Sequence, residues 1–197
     1  MTRKNVAAAL IPTFLVVLLA ACSSEEATTP LIPDTTTAPT TTVSPFGVDS
    51  LSELGAKIHR DNATAIVETV EARRGTPDQA LAALLAAEAE TGWRSGLSMS
   101  PPATDIRDIF GWRLKYNLPA GSTDAVKAAT NTFMDNAATI TVTAYDPAVY
   151  ALAVQTADPR GYNEKEHFYK KGETAATEYA IALPKAQAAY AELRDSQ

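Results

Sequence analysis

The chain has a single cysteine, two histidines and no compensating cluster of either. One thiol excludes a disulfide framework inside the chain. With only His59 and His167, and no ligand spacing around them, the sequence predicts no metal site. It also lacks a glycine-rich phosphate loop, and Ser95 and Ser98 have no nucleophile-elbow context. Positive charge is in the minority: 17 Lys and Arg face 23 Asp and Glu, for a net charge of −6. That balance argues against nucleic acid or an anionic surface as the partner. Only one long apolar run occurs, there is no internal repeat, and no cofactor is expected.

That run lies at the start of the chain. Arg3 and Lys4 precede an apolar stretch from Ala7 to Ala21, broken by Pro12 and Thr13, and Leu19-Ala20-Ala21-Cys22 closes it. The length suits an export signal and is short for a bilayer span. Small residues before a cysteine match the cleavage pattern of bacterial lipoproteins, in which the thiol takes a diacylglycerol thioether. Residues 1–21 are therefore expected to be a signal peptide and Cys22 the lipid anchor. The lipid would hold the protein on the outer face of the cytoplasmic membrane, or on the outer membrane of a Gram-negative cell. Residues 22–50, rich in Thr and Pro, cannot bury apolar surface and read as a disordered tether. Such a segment reaches about 30 Å as a flexible coil and about 85 Å if extended as polyproline II.

Residues 51–197 are enough for one domain with a core. The expected fold is mainly α, with little or no β-structure. Ser50 and Glu53 have capping-box spacing, and Leu51, Leu54 and Ile58 share a helical face. Ile66, Val67 and Val70 extend a stripe that Gly75 ends. A second helix starts with Thr76 as cap, Pro77 in the first turn and Gln79 at the reciprocal capping position. It buries Leu81, Leu84 and Leu85 and stops at Gly92. A loop with Pro101 and Pro102 leads to a short Ile106–Trp112 segment. Helices are expected over 123–138 and 175–193, with Pro184 kinking or dividing the last. The β-branched stretch 139–143 reads either as a short strand or as the end of the preceding helix.

Two glutamates break the alanine-rich pattern of the second helix. Glu88 lies near its apolar stripe, and Glu90 sits on its last turn beside Trp93. The helix dipole and a neighbouring indole both disfavour a charged carboxylate there. A protonated carboxyl is what a general acid needs in order to protonate a leaving oxygen. The alternative is a pair of solvated glutamates at a helix end.

The run Leu84-Leu85-Ala86-Ala87-Glu88-Ala89-Glu90-Thr91-Gly92-Trp93 resembles the signature helix of the lysozyme-like glucosaminidases, glycoside hydrolase family 73. Asp108-Ile109-Phe110-Gly111-Trp112 resembles the Asn-Leu/Ile-Phe-Gly segment that follows in that family, with Phe110 twenty positions after Glu90. Looser similarity runs through Phe133–Tyr145, His167–Gly172 and Glu178-Tyr179-Ala180. The resemblance implies a single lysozyme-like helical domain with a groove, acting on the glycan strands of peptidoglycan after N-acetylglucosamine. It implies Glu90 as general acid and Tyr169 as a cleft tyrosine that places the sugar or water. Trp93, Phe110 and Trp112 would be cleft walls, with Asp108 beside the substrate. Core packing is the alternative for these aromatics.

The chain departs from the family at three points. Arg94 replaces a glycine and Asp108 replaces an asparagine. Between Trp112 and Phe133 only Asp124 offers a carboxylate, so the sequence names no general base. Participation by the substrate's acetamido group would remove the need for one. Two other readings stay open: a non-catalytic envelope binder with a degenerate lysozyme-like fold, and an unrelated helical partner module.

Overall fold

The computed structural model describes residues 44–47, 53–98, 105–114, 117–141, 145–168, 170 and 172–196. Cys22, Ser50 and Tyr169, with the expectations attached to them, lie outside the described residues. The described part falls within one unit, Thr41–Gln197. It contains six helices: α1 (Glu53–Ala72), α2 (Pro77–Thr91), α3 (Thr123–Ala137), α4 (Pro147–Thr156), α5 (Glu164–His167) and α6 (Ala175–Asp195). A two-stranded antiparallel ribbon joins β1 (Leu97–Ser98) to β2 (Ile106–Arg107), in the register Leu97 with Arg107. The mainly α class is as expected. Among the described residues no helix is long and apolar enough to cross a membrane.

α2 is the axis of the fold. Its capping box is complete: Gln79 N–H donates to Thr76 Oγ1 at 3.2 Å, and Thr76 N–H to Gln79 Oε1 at 2.9 Å. Gly92 ends it at φ +61°, a conformation glycine adopts without Cβ strain. The helix was expected to bury one leucine stripe. Instead Ala80, Ala82, Ala83, Leu84, Leu85, Ala86 and Ala87 are all buried, because α6, α4 and α1 surround α2. Small alanines let those helices approach closely on every side.

The first helix differs more. Leu54 and Ile58, expected on its buried face, are 65% and 45% exposed. The buried apolar residues are Ala63, Ala65, Ile66, Val67 and Val70, one helical turn and more further on, where α1 meets α2 and α3. Gly75 follows because the chain there presses on Val70. A Cβ at residue 75 would lie 2.4 Å from Val70 Cγ1.

Ile106 and Arg107, expected only as part of a short segment, form the second strand of the ribbon. Helix α4 was not foreseen, although Asp146 caps it through the N–H groups of Ala148 and Val149 and Pro147 opens it. Of the two expectations at Pro184, division is excluded, because α6 runs continuously through it. Residues 44–47, which fall in the expected tether, lie on the domain. Phe46 is buried against Trp93, with ring centroids 5.0 Å apart, and Ser44 Oγ donates to Glu192 at 2.9 Å.

Candidate functional site

Glu90 projects from the last turn of α2 into a cluster assembled from distant parts of the chain. Its Oε1 accepts from Tyr179 Oη at 2.9 Å and from Tyr162 Oη at 3.2 Å. Its Oε2 lies 2.6 Å from Nδ1 of His167. The Glu90 side chain is only 1% exposed and that of His167 2%. α6 supplies Tyr179, α5 supplies His167, and the loop between α4 and α5 supplies Tyr162. Burial, and secondly the Glu90 charge, hold both tyrosine hydroxyls well above the usual phenol range. They therefore remain donors throughout the physiological range.

The segment Asp108–Trp112 closes over the end of α2. Thr91 Oγ1 lies within hydrogen-bond distance of the Ala87 and Ile109 carbonyls, at 3.0 and 2.8 Å, tying the helix end to this turn. Asp108 Oδ1 accepts the backbone N–H of Phe110 at 2.9 Å and of Trp112 at 3.1 Å. Gly111 sits at φ +76°, and a Cβ there would lie 2.9 Å from His167 Nδ1 and 3.0 Å from Glu90 Oε2. Glycine at this position is what allows the carboxylate and imidazole to meet under the turn.

The expected substrate contacts divide on this geometry. Trp93 is fully buried and donates its indole N–H to the Leu84 carbonyl at 3.0 Å. Its place as a cleft wall is corrected to core, because Phe46 and the Lys185 ammonium cover its ring. Phe110 is also core, stacked on Phe133 at 4.9 Å. Asp108 is buried and is not among the residues lining the cavity, and its carboxylate supports the turn. Burial raises its carboxyl from the usual 3.8 to about 6, against the lowering effect of the two backbone N–H groups and Arg160. Its Oδ2 has no hydrogen-bond partner, and Arg160 stands 3.9 Å away.

Trp112 keeps a place at the site. It borders a cavity of about 280 Å³ with His167, Arg107, Arg160, Asn163 and Glu166. Its ring stands edge-on to His167 at 5.2 Å and to Tyr162 at 6.0 Å, while the Arg160 guanidinium lies 4.3 Å over its face. Arg160 is itself held by both carboxylate oxygens of Asp158, at 2.7 and 2.6 Å. Glu90 does not border this cavity. It borders a recess of about 20 Å³ that shares His167, Arg107 and Glu166 with the larger space.

The structure thus brings Glu90 and Trp112 together through His167. Sequence reasoning had not assigned roles to His167, Tyr162, Tyr179, Gln155 or Arg160. The segments carrying His167 and Tyr179 were noticed only as looser similarity, and nothing in their local pattern marks which side chain turns inward. Glu88, near Glu90 in sequence, instead pairs with Lys185 at 2.7 Å. Among the described residues no group of three or more His, Cys, Asp or Glu side chains could hold a metal ion. In comparisons with known proteins, no family model, no curated protein and no solved structure matches this chain.

Proposed function

We propose that the protein is a peptidoglycan hydrolase held to the envelope through a lipid on Cys22, cleaving glycan strands at N-acetylglucosamine linkages with Glu90 as the acid of the site. The observation that carries this reading is the convergence on Glu90 of Tyr162, Tyr179 and His167 beside the Trp112 cavity. A carboxyl fixed by three partners is pre-positioned, so no reorganisation is needed when a proton moves. Trp112 lines the cavity with its ring under the Arg160 guanidinium, and Arg160, Asn163 and Glu166 offer polar groups for sugar hydroxyls. Its volume is at the lower edge of the roughly 300–1,000 Å³ usual for ligand sites, which suits one sugar ring better than a long strand. The lipid and the Thr/Pro-rich tether would confine such an activity to a zone next to the membrane.

One observation favours a second reading, a non-catalytic glycan-binding lipoprotein. The Glu90 carboxylate is 1% exposed, and both its oxygens are already engaged. A general acid must come within hydrogen-bond reach of the oxygen it protonates. Release of muropeptides from purified sacculi separates the two. Release that disappears in Glu90→Gln supports the hydrolase, whereas retention on insoluble peptidoglycan without release supports the binder. Neither release nor retention would overturn both.

A further inference from the structure

We infer that His167 is the catalytic residue that meets the glycan, and that Glu90 acts through it. This rests on the hydrolase reading. His167, with its side chain 2% exposed, lines both the 280 Å³ cavity and the small recess, whereas Glu90 lines only the recess. His167 therefore stands between the carboxylate and the space a sugar would occupy. Its Nδ1 is taken by Glu90 at 2.6 Å, which leaves Nε2 as the nitrogen able to serve a ligand. The ring is fixed on its other sides by Tyr162, at 4.6 Å between centroids, and by the edge of Trp112. Gly111 leaves room for the pair, since any side chain there would strike Nδ1 and Oε2 together.

The proton balance closes without a second carboxylate. Nε2–H of the doubly protonated imidazole passes its proton to the glycosidic oxygen as the C1–O bond breaks, while Nδ1–H stays on the Glu90 carboxylate. The acetamido oxygen of the same sugar bonds to C1, giving an oxazolinium ion balanced by that carboxylate. Water then adds to C1, the acetamido oxygen departs, and the water's second proton goes to Nε2. His167 thus gives up one proton and regains it. Glu90 is then a positioning residue that holds Nδ1–H and supplies the compensating charge.

The test uses the full lipidated chain in detergent micelles, acting on purified sacculi. The expected loss of muropeptide release is about 10²- to 10⁴-fold in both His167→Ala and His167→Gln, the range for a general acid. Added imidazole should restore release to His167→Ala, which a merely structural role would not allow, and should not restore it to Glu90→Gln. The glutamine variant retains a hydrogen bond to Glu90 and guards against collapse of the site. Release at the wild-type rate from either variant would show Glu90 reaching the glycan directly and overturn the assignment. Loss in His167→Ala without recovery by imidazole would overturn it also. A wild-type chain that releases nothing removes the hydrolase reading itself, before any variant is compared.

Discussion

Trp112 donates its indole N–H to Oε1 of Gln155 at 2.7 Å, and Nε2 of the same glutamine donates to the Phe110 carbonyl at 2.9 Å. One buried side chain on α4 thereby holds both ends of the turn that covers Glu90. Gln155→Leu removes both hydrogen bonds and the contact with the Tyr179 hydroxyl, leaving an indole N–H and a carbonyl unsatisfied. Each such group costs roughly 1–3 kcal/mol, so the variant is expected to lose about 2–6 kcal/mol in urea unfolding. A loss under about half a kcal/mol would mean that the turn does not depend on α4.

Asp108 makes stability depend on pH. Its folded value of about 6 lies above the usual 3.8, so between these limits the folded state holds a proton that the unfolded chain has released. Its contribution is full below about pH 4 and is lost as pH rises through 6, up to about 3 kcal/mol in total. Asp108→Asn keeps the oxygen that accepts from Phe110 and Trp112 and cannot ionise. Its unfolding free energy should therefore be flatter than wild type between pH 4 and 6, measured by denaturant titration at each pH. Parallel profiles would contradict the assignment.

Gly111 permits the Glu90–His167 contact. Gly111→Ala imposes a left-handed backbone on a residue with a Cβ, which costs roughly 1–2 kcal/mol, and drives that Cβ to 2.9 Å from Nδ1. Both a lower thermal midpoint and a shift of the His167 imidazole signals in NMR are expected. An unchanged spectrum would show that the pair does not meet under this glycine.

Phe46 ties the end of the tether to the domain. Phe46→Ala removes a buried ring from Trp93 and is expected to cost about 3–5 kcal/mol, the usual range for such a truncation. A chain that begins at residue 48 should be destabilised similarly. Equal stability with and without residues 44–47 would place the domain boundary after them.

Cys22→Ser removes the only thiol that could carry the thioether. The variant should move from the membrane fraction to the aqueous phase of a detergent partition. Full retention in membranes would refute lipid anchoring at this residue.

What could be read locally was read well where the signal is itself local. Thr76, Pro77 and Gln79 begin α2, and Gly92 ends it, through contacts made within four residues. The same local signal starts α4, where Asp146-Pro147 is a cap followed by a first-turn proline. Leu54 and Ile58 show the limit. Their spacing marks one face of a helix, but periodicity does not say whether anything packs on that face.

The candidate site divides in the same way. Residue types and spacing singled out Cys22, the Thr/Pro-rich stretch, the mainly helical class and Glu90, and segment 108–112 entered through its resemblance to a family motif. Each of these depends on composition or on neighbours along the chain. Only the tertiary structure decided that Trp93 and Phe110 are core, that Asp108 supports a turn, and that His167 covers Glu90. Those outcomes depend on contacts across tens of residues, 77 between Glu90 and His167 and 89 between Glu90 and Tyr179. No local pattern encodes which polar side chain will be turned inward to meet a buried carboxylate. That choice is made when α4, α5 and α6 close around the end of α2.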